Sequence, residues 1–173
     1  MPFAEQTVIG ESFVGSGPNA AHTNIVLGRK GGPVETAWVT ALASPSAGYA
    51  PFVAVLAPNV PIAPRTLFVN KAAITGELHG NATWGAAQAG LATGITQAIG
   101  EGLIPADELE NLLIIAAIWV NPLVDDLDEA FRNQRDAAFG AVRAALAGCP
   151  TPAELAATAI SNPFYTPSPA VTS

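Results

Sequence analysis

Charge is what this sequence has least of. Charged residues make up 12% of its 173 positions, against about 25% in an ordinary soluble domain. Seven Lys and Arg face fourteen Asp and Glu, for a net charge of −7. That balance gives no basic surface of the kind that phosphate backbones require, which argues against a nucleic-acid partner. The single cysteine, Cys149, allows no internal disulfide and suits a reducing compartment. One Cys and two His are too few for a zinc centre, so no metal is expected. The longest unbroken apolar run, Leu112 to Val120, is about half the ~20 residues that a membrane-spanning helix needs. MPFAEQTV carries neither a basic region nor a long apolar run, so it reads as no signal peptide. No phosphate-binding loop or nucleophile elbow occurs, and the GSG at 15–17 lacks the third glycine and following helix of a dinucleotide fingerprint. A cytoplasmic location away from membranes is the resulting expectation.

Apolar residues are what the chain has in plenty. They make up 50% of it, and mean hydropathy is +0.35. The length suits one domain with a real core. So few charges cannot cover the surface of a single domain this size, and burying apolar faces between identical subunits is the expected remedy.

Periodicity supplies a coarse map. Residues 5–14 alternate weakly and read as a first strand, GSGPN at 15–19 as a turn, and Ala20 to Gly28 as a second strand, together a hairpin. Pro33 opens a helix to about Ala43, with Val34, Ala37, Trp38, Ala41 and Leu42 at helical spacing. FVAVLAP at 52–58 reads as a buried strand and TLFVNKAAI at 66–74 as another. GELHGNAT reads as a connection to a long helix from about Thr83 to Gly100, and LLIIAAIWV at 112–120 as a central strand. The acids at 125, 126, 128 and 129 read as the first turn of a helix to about Ala147, where carboxylates meet the helix dipole. Its expected core stripe is Leu127, Phe131, Ala138, Val142 and Leu146. Thr151-Pro152 opens a short last helix. The sum is an α+β, two-layer single domain over 1–160, followed by a Pro/Ser-rich tail, 161–173, that Phe164 and Tyr165 could pin.

Four polar positions stand out of this pattern. In the second strand His22, Asn24 and Val26 share one face, and Thr23, Ile25 and Leu27 the other. His22 is either a half-buried strand residue bonded to a neighbour or a functional group. Lys71, one of two lysines, falls in an apolar row with Leu67, Val69 and Ala73. It either snorkels to water or needs a partner. Gln88 lands on the apolar stripe of Trp84 and Leu91, where a carboxamide needs a partner from the protein or from a ligand. His79, in the connection, reads as solvated.

The stretches GESFVGSG, AAHTNIVLG, GGPVETAW, VAVLAPNVP, TLFVNKAAI, WGAAQAGLATGI and EGLIPADE, in this order, resemble the formaldehyde-activating enzymes of methylotrophic bacteria and methanogenic archaea. The resemblance runs from Val8 to about Ile104 and more loosely to Pro163-Phe164. It implies the fold of the second domain of ribosomal protein S5, a homopentamer with sites at subunit contacts, and no tightly bound cofactor. The implied reaction joins formaldehyde to the co-substrate tetrahydromethanopterin, giving the 5,10-methylene derivative and water. By the same resemblance the proton donor falls on His22, and pterin contacts fall on Lys71, Gln88 and, in place of a leucine, Val53. The family's aspartate and threonine fall on Asn24 and Ala73, two departures. These keep a second reading open, a paralogue that binds or senses a pterin or formaldehyde adduct without catalysis.

Overall fold

The computed structural model describes residues 7–158. The chain runs β1 (Val8–Val14), β2 (Ala21–Arg29), α1 (Pro33–Ala43), β3 (Phe52–Val53), β4 (Val55–Ala57), β5 (Val60–Pro61) and β6 (Arg65–Asn70). Then follow α2 (Glu77–Asn81), a π-helical turn (Ala82–Ala87), α3 (Gln88–Gly100), β7 (Leu112–Val120), α4 (Leu127–Ala147) and α5 (Pro152–Thr158). Five strands form one sheet in the order β1-β2-β7-β6-β3, with β7 at its centre as its apolar run implies. All neighbours pair antiparallel except β6 and β7, which run parallel. The fold is α+β. Residues 5 and 6, the domain boundary at 160, and Phe164 and Tyr165 lie outside the described residues.

The main core lies between the sheet and the pair α3 and α4. Ile25 and Leu27 of β2, Phe68 of β6 and Ile114, Ala116 and Ile118 of β7 meet Leu91, Ile95, Ala138 and Val142 there. Side chains alternate across a strand, so every second residue of β2 points into this core. The helices approach closely because small residues face each other: a Cβ on Gly90 would lie 2.7 Å from the carbonyl of Phe131. This explains why the expected stripe of α4 is rotated. Its buried side is Ala130, Gln134, Ala137, Ala138, Ala141, Val142 and Ala145, while Leu127 is exposed and Phe131 and Leu146 sit at the margin. Close backbone contact excludes large side chains from the seam and moves them to its flanks.

On the opposite side of the sheet, α1 covers one half only. Val34 and Trp38 pack on Leu67 and Leu113, with Val26, Val53, Val69 and Ile115 around them. The other half of this face, toward His22 and Trp119, has no helix over it among the described residues.

Three expectations need correcting. FVAVLAP is not one buried strand: it splits at Ala54 into β3 and β4, and Leu56 is 54% exposed. An edge strand is bonded on one side only, and here the chain leaves the sheet to make a separate hairpin, β4–β5. TLFVNKAAI stops at Asn70, whose Nδ2 donates to the carbonyls of Gly48 and Ala72 and turns the chain. Such side-chain bonds offer the backbone an alternative to the ladder. GELHGNAT is mostly helix, and His79 is buried at 3% exposure. Its Nε2 donates to the Val120 carbonyl (3.1 Å) and its Nδ1 accepts from the Thr75 N–H (3.2 Å), tying α2 to the end of β7. Gly76, at φ 137°, makes the turn into that helix. Local glycine and asparagine signals were outweighed by a tertiary anchor.

Candidate functional site on the sheet face beyond helix α1

The hairpin register builds the site. Phe13 of β1 pairs with His22, and Glu11 pairs with Asn24. On the other flank, His22 pairs with Trp119 and Asn24 with Ala117. The parallel pairing of β6 and β7 sets Val69 beside Ala117 and Asn70 beside Ile118. Lys71 extends that register by one, its N–H donating to the Ile118 carbonyl at 2.7 Å. Strands lie about 4.8 Å apart, so the long Lys71 side chain spans β7 to reach His22 and Asn24 of β2.

Four polar groups converge there. Lys71 Nζ donates to Asn24 Oδ1 at 2.7 Å and lies 3.3 Å from His22 Nδ1. His22 Nε2 lies 2.9 Å from Glu11 Oε1, with the side chains 27% and 55% exposed. The Phe13 ring stands edge-on to the imidazole at 6.2 Å. An ammonium has no acceptor, so its contact with Nδ1 makes that nitrogen the acceptor and puts the ring proton on Nε2, facing the carboxylate. The order is therefore carboxylate, imidazole, amine, in one hydrogen-bonded line from β1 through β2 to the residue that follows β6.

The electrostatics fit a neutral imidazole. Burial, and then the Lys71 charge, hold the His22 pKa below its ordinary value, while Glu11 pulls the other way and loses. Burial likewise lowers the Lys71 pKa, again opposed by Glu11. Both cations are thus easier to deprotonate than on an open surface.

Of the residues singled out from sequence, His22, Asn24 and Lys71 come together. Val53 lies on the same sheet face but farther along, paired with Leu67 in the half that α1 covers. Ala73 does not continue the Lys71 row: it is exposed beyond the strand end, beside Gly48. Gln88 stands on α3, across the sheet from His22, and its Oε1 accepts from the Val55 N–H at 2.8 Å. Its partner is protein backbone. Glu11 is the residue that strand periodicity alone passed over. The signal for it was the hairpin itself, since pairing 5–14 with 20–28 across the turn brings a carboxylate toward His22. No group of three or more His, Cys, Asp or Glu arranged to hold a metal occurs among the described residues.

Comparison with known proteins gives a consistent result. Residues 9–164 match the family model described as formaldehyde-activating enzyme (Fae). The chain is 33% identical over 161 residues to a 5,6,7,8-tetrahydromethanopterin hydro-lyase of Methanosarcina barkeri, covering 92% of this chain and 90% of that one. It is also 36% identical over 143 residues to a bifunctional enzyme Fae/Hps of Methanococcoides burtonii. That match covers 83% of this chain but only 36% of the relative. A bifunctional Fae/Hps of Methanosarcina mazei is 34% identical over 142 residues, with the same 36% share. The chain therefore spans about a third of these bifunctional relatives.

Proposed function

The chain belongs to the formaldehyde-activating enzyme family, and we propose that it is a lyase condensing formaldehyde with tetrahydromethanopterin to the 5,10-methylene derivative and water. The observation that carries this reading is the line Glu11–His22–Lys71 on the half of the sheet face that α1 does not reach. A pterin amine adds to formaldehyde to give a carbinolamine, whose hydroxyl must leave before a second nitrogen closes the ring. Hydroxide is a poor leaving group, so a positioned proton donor accelerates this step, by about 10²–10⁴-fold in typical cases. His22 is that general acid. The proton it passes on is renewed from the Lys71 ammonium at Nδ1. Phe13, Ala117, Trp119 and Val69 form the apolar floor beside these groups, a surface on which a flat heterocycle can stack.

Gln88 and Val53 remain pterin contacts in this reading, supplied with the His22 cluster where two copies meet. Support comes from Gln88 lying across the sheet from His22 in one chain, and from exposed apolar residues such as Leu56 and Val60 on the β4–β5 hairpin. A homopentamer working in the cytoplasm is the assembly proposed. No described helix is long and apolar enough to cross a membrane.

Asn24 and Ala73 favour the second reading, a pterin-binding paralogue without catalysis. Asn24 keeps an acceptor oxygen, which Lys71 uses, so the loss there is of charge and not of a hydrogen bond. The deciding experiment is the rate of methylene-tetrahydromethanopterin formation with wild type and with His22→Ala, corrected for the spontaneous reaction. Acceleration that disappears in the variant is the expected result. Tight pterin binding with no acceleration selects the paralogue, and full activity of the variant removes His22 from the mechanism.

A further inference from the structure

Lys71 has more chemistry around it than a hydrogen bond to a pterin requires. Its nitrogen is held by two acceptors, Asn24 Oδ1 at 2.7 Å and His22 Nδ1 at 3.3 Å. Behind His22 stands Glu11, 2.9 Å from Nε2. Once Lys71 has passed a proton to His22 Nδ1, its amine keeps an N–H on Asn24 Oδ1, and its lone pair, at first facing the Nδ1–H, turns to an incoming carbonyl by rotation about the Cε–Nζ bond. The Lys71 side chain is only half-buried, on the half of the sheet that α1 does not reach, so a molecule as small as formaldehyde can reach it. We propose that Lys71 is a covalent formaldehyde acceptor, with His22 as its proton shuttle and Glu11 as the residue that positions and charge-balances His22. The inference rests on the formaldehyde reading above and adds a nucleophile to it.

The step balances as follows. The Lys71 ammonium gives one proton to His22 Nδ1, leaving a free amine and an imidazolium stabilised by Glu11. The amine lone pair forms a C–N bond to formaldehyde as the C=O π bond breaks. The oxygen takes up the proton shed by nitrogen, giving a carbinolamine. The imidazolium then protonates the hydroxyl, water leaves, and the nitrogen lone pair closes to a methylene iminium. Overall the ammonium and formaldehyde become the iminium and water, with His22 neutral again. An incoming amine can attack the iminium carbon and release Lys71, so the captured carbon passes on. Burial lowers the Lys71 pKa, which favours the first step; lysine amines shifted in this way are the ones used for imine chemistry.

The chain carries its own control, because the other lysine, Lys30, is exposed with its Nζ 3.8 Å from Glu110. The full chain is treated with limiting ¹³C-formaldehyde and cyanoborohydride near neutral pH, and methylation of each lysine is followed by peptide mass spectrometry. Lys71 is expected to be labelled about tenfold or more faster than Lys30, within the reach of positioned proton transfer. That preference should fall severalfold in Glu11→Gln and vanish in His22→Ala, with an unchanged circular dichroism spectrum showing that both variants fold. Equal labelling of the two lysines in wild type overturns the proposal, as does a preference that both variants retain. Lys71→Arg keeps the charge and cannot form the iminium, so full condensation activity in that variant rejects the covalent route while leaving the condensation reading intact. Preferential labelling in a protein that does not accelerate condensation supports capture and rejects the pterin reaction instead.

Discussion

The two faces of the five-stranded sheet are built from alternate residues of the same strands, yet they are in opposite states. Toward α3 and α4, the polar side chains that point inward are few and mostly paired within the core: Gln134 donates to the Thr23 hydroxyl, and the Thr66 hydroxyl to the Pro64 carbonyl. On the other face Glu11, His22, Asn24 and Lys71 are bonded to one another above an apolar floor, and α1 stops short of them. One face spends its residues on cohesion. The other is left with groups whose protons can move, and the difference comes from a two-residue repeat and the reach of one helix.

The neighbouring residues Ile25 and Val26 measure that contrast most directly. Ile25 is fully buried, so Ile25→Ala is expected to cost about 2–5 kcal/mol in denaturant unfolding. Val26 is only partly buried, against the α1 cluster, and Val26→Ala should cost about 1 kcal/mol, since less apolar area returns to water. Equal losses would mean that the two faces are not energetically distinct. His79→Ala comes next in size. It leaves the Val120 carbonyl and Thr75 N–H without their partner, so a loss of about 1–3 kcal/mol is expected. Because His79 lies outside the Glu11–His22–Lys71 cluster, the selective labelling of Lys71 should survive. Loss of that selectivity would join the two regions that the sheet separates.

Asn24→Asp is the smallest change and acts on charge alone. A carboxylate at this position favours both cations, so the His22 and Lys71 pKa values should both rise. Histidine proton shifts followed by NMR across a pH titration would show it. Lys71 labelling should slow severalfold, since the ammonium would be harder to deprotonate. An unmoved His22 titration would show that Asn24 is not electrically coupled to it. In wild type the sign is fixed by the lowered His22 pKa. The unfolded chain takes up its proton first as pH falls, so this group's contribution is present above the ordinary histidine range and is lost below it. Stability should therefore decline on acidification through that window, and His22→Ala should flatten the decline.

Much of this was legible in the residues. Helix α1 runs over the span that Pro33 and the spacing of Val34 and Trp38 indicate, and the apolar run at 112–120 is the central strand. The acids at 125–129 do open α4, with Asp126 accepting from the N–H groups of Asp128 and Glu129. His79 was not legible, because its burial depends on a carbonyl 41 residues away. Glu11 carried no local mark, and the sequence left open whether the partner of Gln88 is protein or ligand. Its apolar neighbours were plain, but the backbone N–H that it accepts from belongs to β4, which the sequence presents as continuous with β3.

The sequence by itself determined which side chains share a face of β2, because strand alternation is a property of the backbone and needs no other element. It determined too that His22, Asn24 and Val26 would point away from Ile25 and Leu27. Only the tertiary structure decided what those groups would meet. Antiparallel pairing brought Glu11 to one side of His22, and parallel pairing of β6 with β7 carried Lys71 across β7 to the other. Those contacts join residues that lie far apart along the chain. Register between strands is set by the whole core closing at once, and no window of sequence contains it.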